Sequence, residues 1–446
     1  MKKYLKVFLS LIFGLASTST MASGFSALNE DGKLIYYTIL SDGYTVEVCA
    51  PFGTGKQRYS GNIKIPDTVT YPSTGQTYDV VGIGENAFYP GESGVTISSI
   101  TFPTKNFQYI GASAFYCCKS IENIEINSEY FSSINPSAFS SCTAIKSVNI
   151  HSDCLRTLCG FSGCESLEDI TYPSTVTVIG KYAFSGCKSL KSFDLPKATT
   201  EIGEDAFAGC TGFESIDLPM TITEIGIGAF KNCTNLKSIQ LPKITKIYNN
   251  TFYGCTSLTE ITLPASLQEI IYEEAYYFYG AFENCTSLAK VIIEDSDRPL
   301  RIPTTTFKNS PIKFVYMGRE LSEATFNKCK TIQKIDIGEK VKNIVDNLFN
   351  NCSVLSEINF GKNIERIGTY AFIGCSMSEL FLPSKVTYLG SHAFYGCSNL
   401  QNVYIGNSLQ KIDNNCFQSS NIRNLFLFST ELTSVVGACL PTTAHI

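Results

Sequence analysis

Eighteen cysteines offer this chain more chemistry than any other residue type, and twelve of them recur at one place in a repeated phrase. "IGKYAFSGCKSLKSFDLP" at 179–196 returns as "IGEDAFAGCTGFESIDLP" at 202–219, with Ile, Phe, Cys and Leu held while the residues between vary. The twelve are Cys118, Cys142, Cys164, Cys187, Cys210, Cys233, Cys255, Cys285, Cys329, Cys352, Cys375 and Cys397. Cysteine can ligate metal, form disulfides or act as a nucleophile, and each use needs its own neighbourhood. Zinc requires ligands clustered at turn-like spacing, as in paired C-x-x-C units; this column supplies one Cys per repeat. A nucleophile requires a base within reach, and the three His (His151, His392 and His445) stand far apart in sequence.

Disulfides along the column meet a geometric obstacle. Stacked strands lie ~4.8 Å apart, in-register Cβ atoms stay near that distance, and a bridge needs ~3.5–4.5 Å. The spacing therefore predicts buried reduced thiols, each a small apolar filler and a weak donor to backbone carbonyls. Ser310 and Ser420 take the slot, or one near it, in two irregular repeats. Cys49, Cys117, Cys154, Cys159, Cys416 and Cys439 lie outside the column. Cys416 sits before Phe417 where Ala is usual, so it reads as a buried filler rather than half of a Cys416–Cys439 clamp.

Two glycine motifs are superficial. "GIGENA" at 82–87 matches G-x-G-x-x-A, yet related letters recur as "IGIGAF" at 225–230 because they belong to the repeat. A dinucleotide site would also need a βαβ unit and a downstream acidic residue. "FGTGKQ" at 52–57 lacks the first Gly and the Ser or Thr of a phosphate loop. No cofactor is expected, and no catalytic constellation.

The elements that carry the column follow from a recurring Phe: 88, 115, 139, 161, 184, 207, 230, 252, 282, 307, 326, 349, 372, 394 and 417. Ten of the fourteen intervals are 22 to 24 residues, the length of one solenoid coil. In "SIDLP", Ile216 and Leu218 alternate with Ser215 and Asp217, the period of a short strand with one buried face. One such strand per coil makes a parallel sheet, Pro ends it, Ile-Gly begins the return path, and Phe fills the interior. No coil buries its interior alone, so neighbours supply the stability.

The phrase "L-x-x-I-x-L-P…I-G-x-x-A-F-x-G-C" over about residues 80–427 resembles the leucine-rich repeat of the BspA type, found in bacterial surface proteins. The resemblance implies a right-handed, mainly β solenoid with one parallel sheet and about fifteen ~23-residue repeats. It also implies surface exposure and a role in adhesion to host proteins or other cells.

The chain divides accordingly into a signal peptide (1–22), an N-terminal β cap (23–80), the solenoid (81–427) and a C-terminal cap (428–446). Lys2, Lys3 and Lys6 precede the apolar run "VFLSLIFGLA", and cleavage is expected after Ala22 or, second, after Ser23, with an uncleaved anchor as the alternative. No second long apolar run follows. In the cap, Asp42-Gly43 and Ser73 to Gly75 read as hairpin turns. The net charge of -5 with 17% charged residues gives no basic face for nucleic acid.

Contact residues are sought on the outer sheet face, where slots change from small and polar in the first half to aromatic in the second. Phe314, Tyr316, Phe381, Tyr404 and Phe426 occupy such slots. Three of them in successive strands would form an apolar stripe of the kind that marks partner sites, or a ladder that merely stabilises the sheet. "IYEEAYYFYG" at 271–280 inserts a Tyr-rich loop (Tyr272, Tyr276, Tyr277, Tyr279) that could make contacts or pack on its own neighbour. The expected function is non-enzymatic binding of extracellular or surface proteins, host matrix proteins among them by resemblance. Glycan binding and a structural spacer are the alternatives.

Overall fold

The computed structural model describes residues 24–52, 58–91, 96–272 and 279–437. Among them the chain is a mainly β solenoid of about fifteen turns without a helix. The strands written L-x-x-I-x-L pair in parallel, residue for residue, from coil to coil. Asn123–Asn127 pairs with Ser147–His151, and that strand with Asp169–Thr171. Further along, Glu260–Leu263, Lys290–Ile293, Phe314–Met317, Lys334–Ile337 and Glu357–Asn359 run side by side. Glu379–Phe381, Asn402–Ile405 and Asn424–Leu427 form the last row.

A second row of parallel strands was not anticipated. The residue before each Ile-Gly pairs with its counterpart one coil on, as in Val178↔Glu201 and Ile179↔Ile202, then Glu201↔Glu224 and Ile202↔Ile225. These strands are two residues long, too short for alternation to reveal them. The coil thus has two laddered walls rather than one, and Ile-Gly is a wall before it is a bend.

The Phe residues form one unbroken stack through the interior. Each of the first fourteen is in ring contact with the next, from 4.8 Å between Phe88 and Phe115 to 6.0 Å between Phe307 and Phe326. Left-handed residues flank the ring on both sides: Tyr182, Asp205 and His392 two before, Gly186, Gly209 and Gly396 two after. Asn, Asp, Ser and Gly dominate both positions because they tolerate φ > 0.

The thiol column lies beside the rings, and its hydrogen bonds are regular. Cys187 Sγ donates to the Phe161 carbonyl at 3.3 Å, Cys210 to Phe184 at 3.1 Å and Cys233 to Phe207 at 3.2 Å. Ser310 and Ser420 make the same bond, to Phe282 at 2.6 Å and Phe394 at 2.8 Å. Every cysteine among the described residues is a free thiol, and Cys416 is fully buried. Cys439 lies outside the described residues, as do the expected signal peptide at 1–22 and most of 52–57.

The N-terminal strands Gly24–Leu28, Leu34–Ile39 and Thr45–Val48 are antiparallel neighbours joined by tight turns. Thr68–Thr70 folds back on Thr77–Ile83 about the Ser73 to Gly75 turn. The cap merges with the solenoid earlier than residue 80, because Gly61–Lys64 pairs in parallel with Ile97–Thr101. "NIKIP" is already a coil strand, with the second hairpin inserted behind it.

A fully buried charge interrupts the apolar interior. Arg319 has no exposed surface and donates to the carbonyls of Leu267 at 2.7 Å, Pro264 at 2.9 Å and Ala265 at 3.2 Å. It ties a coil only 19 residues long between Phe307 and Phe326 back to an earlier turn.

Candidate functional site

The outer sheet face is held flat by the coil-to-coil bonds, so residues at one slot of successive strands stand side by side. At its C-terminal end the register Phe381↔Tyr404↔Phe426 is direct. Leu380, Val403 and Leu425 point inward and are buried, which sends the aromatics out. Phe381 is 59% exposed and Phe426 41%; Tyr404 is half-buried between them. The rings stack at 4.5 and 4.6 Å with planes within 7°. Each inner face is covered by the next ring.

The adjoining slot carries a polar ladder. Asn402 Nδ2 donates to Glu379 Oε1 at 3.0 Å, and Asn424 Nδ2 to Asn402 Oδ1 at 2.8 Å. On the stripe's other side Phe428 is 64% exposed. Period two in "NLFLF" places Phe426 and Phe428 on one face, a signal overlooked when residue 428 was assigned to the cap.

The other aromatic slots do not join the stripe. Phe314 pairs with Lys290 and Lys334, and Tyr316 with Ile292 and Asp336. Asp336 then faces Asn359 before the aromatic row starts at Phe381. Both Phe314 and Tyr316 are half-buried. Burial first, and then the hydrogen bond at 2.8 Å to Asp295, hold the Tyr316 hydroxyl above its usual range.

In the aromatic insertion, Tyr279 stacks on Tyr253 of the preceding coil at 4.3 Å, and its N–H donates to Asn250 Oδ1 at 2.6 Å. That end of the loop packs on its neighbour. Tyr272 is half-buried; Tyr276 and Tyr277 lie outside the described residues.

Elsewhere the outer surface is made of ion pairs between coils: Lys146–Glu122 at 2.9 Å, Lys188–Glu165 at 2.8 Å and Lys237–Glu214 at 2.8 Å. Exposed pairs of this sort contribute at most ~1 kcal/mol each. They leave the first half of the sheet polar. Among the described residues no helix is long and apolar enough to cross a membrane.

With repeat, stacking and outer face in place, the class is a leucine-rich-repeat solenoid. The chain belongs to the BspA type leucine rich repeat family, whose model matches six copies over residues 61–159, 158–280 and 319–439. A leucine-rich repeat protein of Bacteroides ovatus is similar in structure: 28% identity, TM-score 0.58, covering 88% of this chain and 92% of that one. A leucine rich cell surface protein of Faecalibacterium prausnitzii shares 20% identity over 77% of this chain and 96% of that one, at a TM-score of 0.31. The pneumococcal vaccine antigen PcpA shares 18% over 93% and 90%, at 0.35. No curated protein matches. Proteins of this family are typically cell-surface and typically non-enzymatic.

Proposed function

We propose that the chain is an exported surface protein that binds other proteins through the outer sheet face, with Phe381, Tyr404 and Phe426 as the contact stripe. The observation that carries this reading is the display of three stacked rings in register on the last three strands of the outer face. Contiguous exposed apolar surface is characteristic of partner sites, and aromatic residues dominate their energetics. The amide ladder beside it supplies donors and acceptors for a polar rim. Adhesion to a host matrix protein is the finer form of this reading.

Ring geometry favours protein over a neutral sugar. Sugars stack on aromatic faces, and here the inner faces are already occupied by one another. A protein surface can instead pack side chains and carbonyls along the ring edges.

The test is binding of the mature chain to a panel of extracellular proteins and a panel of glycans, repeated with Tyr404→Ser. Capture of a protein that the variant loses supports the proposal. Capture of neither class points to a spacer, and a protein bound equally by the variant sinks the stripe.

A further inference from the structure

The backbone ladder beside the ring stack contains a fault. In regular coils the residue two after Phe donates its N–H to the next coil: Gly209 to Lys231 at 2.7 Å, Asn232 to Tyr253 at 2.7 Å, Asn284 to Lys308 at 3.0 Å. Past the fault the bond resumes, Lys328 to Asn350 at 2.7 Å and Asn351 to Ile373 at 2.8 Å. Between Asn309 and Asn327, both described, it is not formed, nor is the bond from Phe307 N–H to Thr325. The thiol rung fails too: Cys329 Sγ lies 3.6 Å from Thr331 Oγ1 instead of donating to Phe307. The cause is the short coil, whose return path from Met317 to Phe326 is three residues shorter than that from Leu218 to Phe230.

The fault opens a cleft of about 490 Å³ between the turns carrying Phe307 and Phe326. Lys308, Lys328 and Lys330 line it, together with hydroxyl and amide side chains and no carboxylate. Lys308 Nζ lies 3.2 Å from Glu283, which lies outside the lining. Among the described residues Lys328 and Lys330 have no such ion pair, and both are exposed. Lys328 is also the one lysine among the described residues with a left-handed backbone (φ 60°), at a slot where Gly, Asn or Ser is usual. Within the walls Thr305 Oγ1 and Asn327 Oδ1 have no hydrogen-bond partner, as is true of Ser140 Oγ and Thr199 Oγ1 elsewhere among the described residues.

We propose that this cleft binds an acidic saccharide, the ammonium groups of Lys328 and Lys330 holding its sulfate or carboxylate and the Thr and Asn side chains its hydroxyls. The volume is within the range of small-ligand sites and well above what a lone inorganic anion fills. The site lies on the turn wall, away from the stripe, and stands whether or not the stripe binds protein.

The experiment is calorimetric titration of the mature chain with a sulfated disaccharide, an unsulfated uronate disaccharide, a neutral disaccharide and inorganic sulfate. One or both acidic sugars should bind at least roughly tenfold more tightly than the neutral sugar and the free ion. The tighter of the two identifies the acidic group. Lys328→Asn combined with Lys330→Gln should weaken that binding about tenfold or more with no change in melting temperature; Asn is at home in the left-handed slot. Lys237→Gln, which removes a paired lysine on another coil, should leave it intact. Equal binding of the neutral sugar, equal binding of inorganic sulfate, unchanged binding by the double variant, or no acidic sugar bound would each overturn the proposal.

Discussion

Two aromatic ladders run along this molecule with nearly the same local geometry and opposite surroundings. Phe207 and Phe230 stack at 5.7 Å and 11°, fully buried. Phe381 and Tyr404 stack at 4.5 Å and 7° on the outer sheet face. Interior rings are spaced from 4.8 to 6.0 Å along the stack and outer rings at 4.5 and 4.6 Å, and the Phe side too is bonded from coil to coil, Phe207 N–H donating to the Ala229 carbonyl at 2.9 Å. The difference in burial separates their roles. Interior rings displace water from every coil and exclude it from the thiols beside them. Outer rings give up little water to each other and keep their edges available.

The largest expected effect is collective and belongs to the buried ladder. Burial pushes the thiols of Cys118, Cys187, Cys233, Cys285 and Cys397 up to about 12, against about 8.5 for a free thiol. A folded value above the unfolded one means the stabilisation is complete below about pH 8.5 and is lost as pH climbs towards 12. Each thiol contributes up to about 1.4 kcal/mol per pH unit in that window. Denaturation midpoints should be level from about pH 6 to 8 and fall steeply above 9. A flat profile to about pH 11 would place the thiols in contact with water.

Next comes removal of one interior ring. Phe207→Ala should cost about 3–5 kcal/mol, because Phe184, Phe213 and Phe230 all touch that ring. In a repeat array the loss can appear as a broken transition rather than a shifted one, so hydrogen exchange around residues 184–230 is the measurement. Unchanged protection there would contradict the stacked interior.

Tyr404→Ser probes the other ladder and should reverse the pattern: about 2 kcal/mol or more lost in partner binding, with a small change in melting because Val403 and Ile405 hold the strand inward. Ser192 and Asp194, polar slots in the first half, provide the control pair. Early melting with normal binding would make the stripe a structural device.

Much of this was legible in the sequence because each coil repeats the same physical demand. The Phe, the Cys and the strand alternation could be placed by number, and Ser310 and Ser420 already indicated that the slot wants a weak donor. Two-residue strands such as Glu201–Ile202 recur from coil to coil but carry too few residues to show a period. Features made by a single coil were not legible either. Arg319 is written like any surface arginine, and only the short coil around it turns the side chain inward. The cleft at Phe307 was visible as an interval of 19 residues, but which bonds that shortening would break depends on the neighbours' positions in space. The stripe was readable as slots, and Phe428 stands beside it one residue past the end of the strand Asn424–Leu427.

The smallest effect sharpens the comparison most. If stacking itself stabilised the sheet, Phe381 and Tyr404 would be coupled in the absence of any partner, as Phe207 and Phe230 must be. Cross-strand aromatic pairs on an exposed face contribute roughly 0.2–1 kcal/mol, since both rings remain partly hydrated and the backbone ladder is formed without them. A double-mutant cycle of Phe381→Thr and Tyr404→Thr, read by chemical denaturation, isolates that coupling because Thr suits a strand and leaves the inward residues untouched. The coupling should fall within that range, several-fold below the loss from Phe207→Ala. A value near 3 kcal/mol would show that the outer rings hold the last three coils together, and the contrast between a structural and a displayed ladder would collapse. A value near zero would leave stability no reason to retain three large apolar side chains on a polar sheet, and binding would be the remaining one.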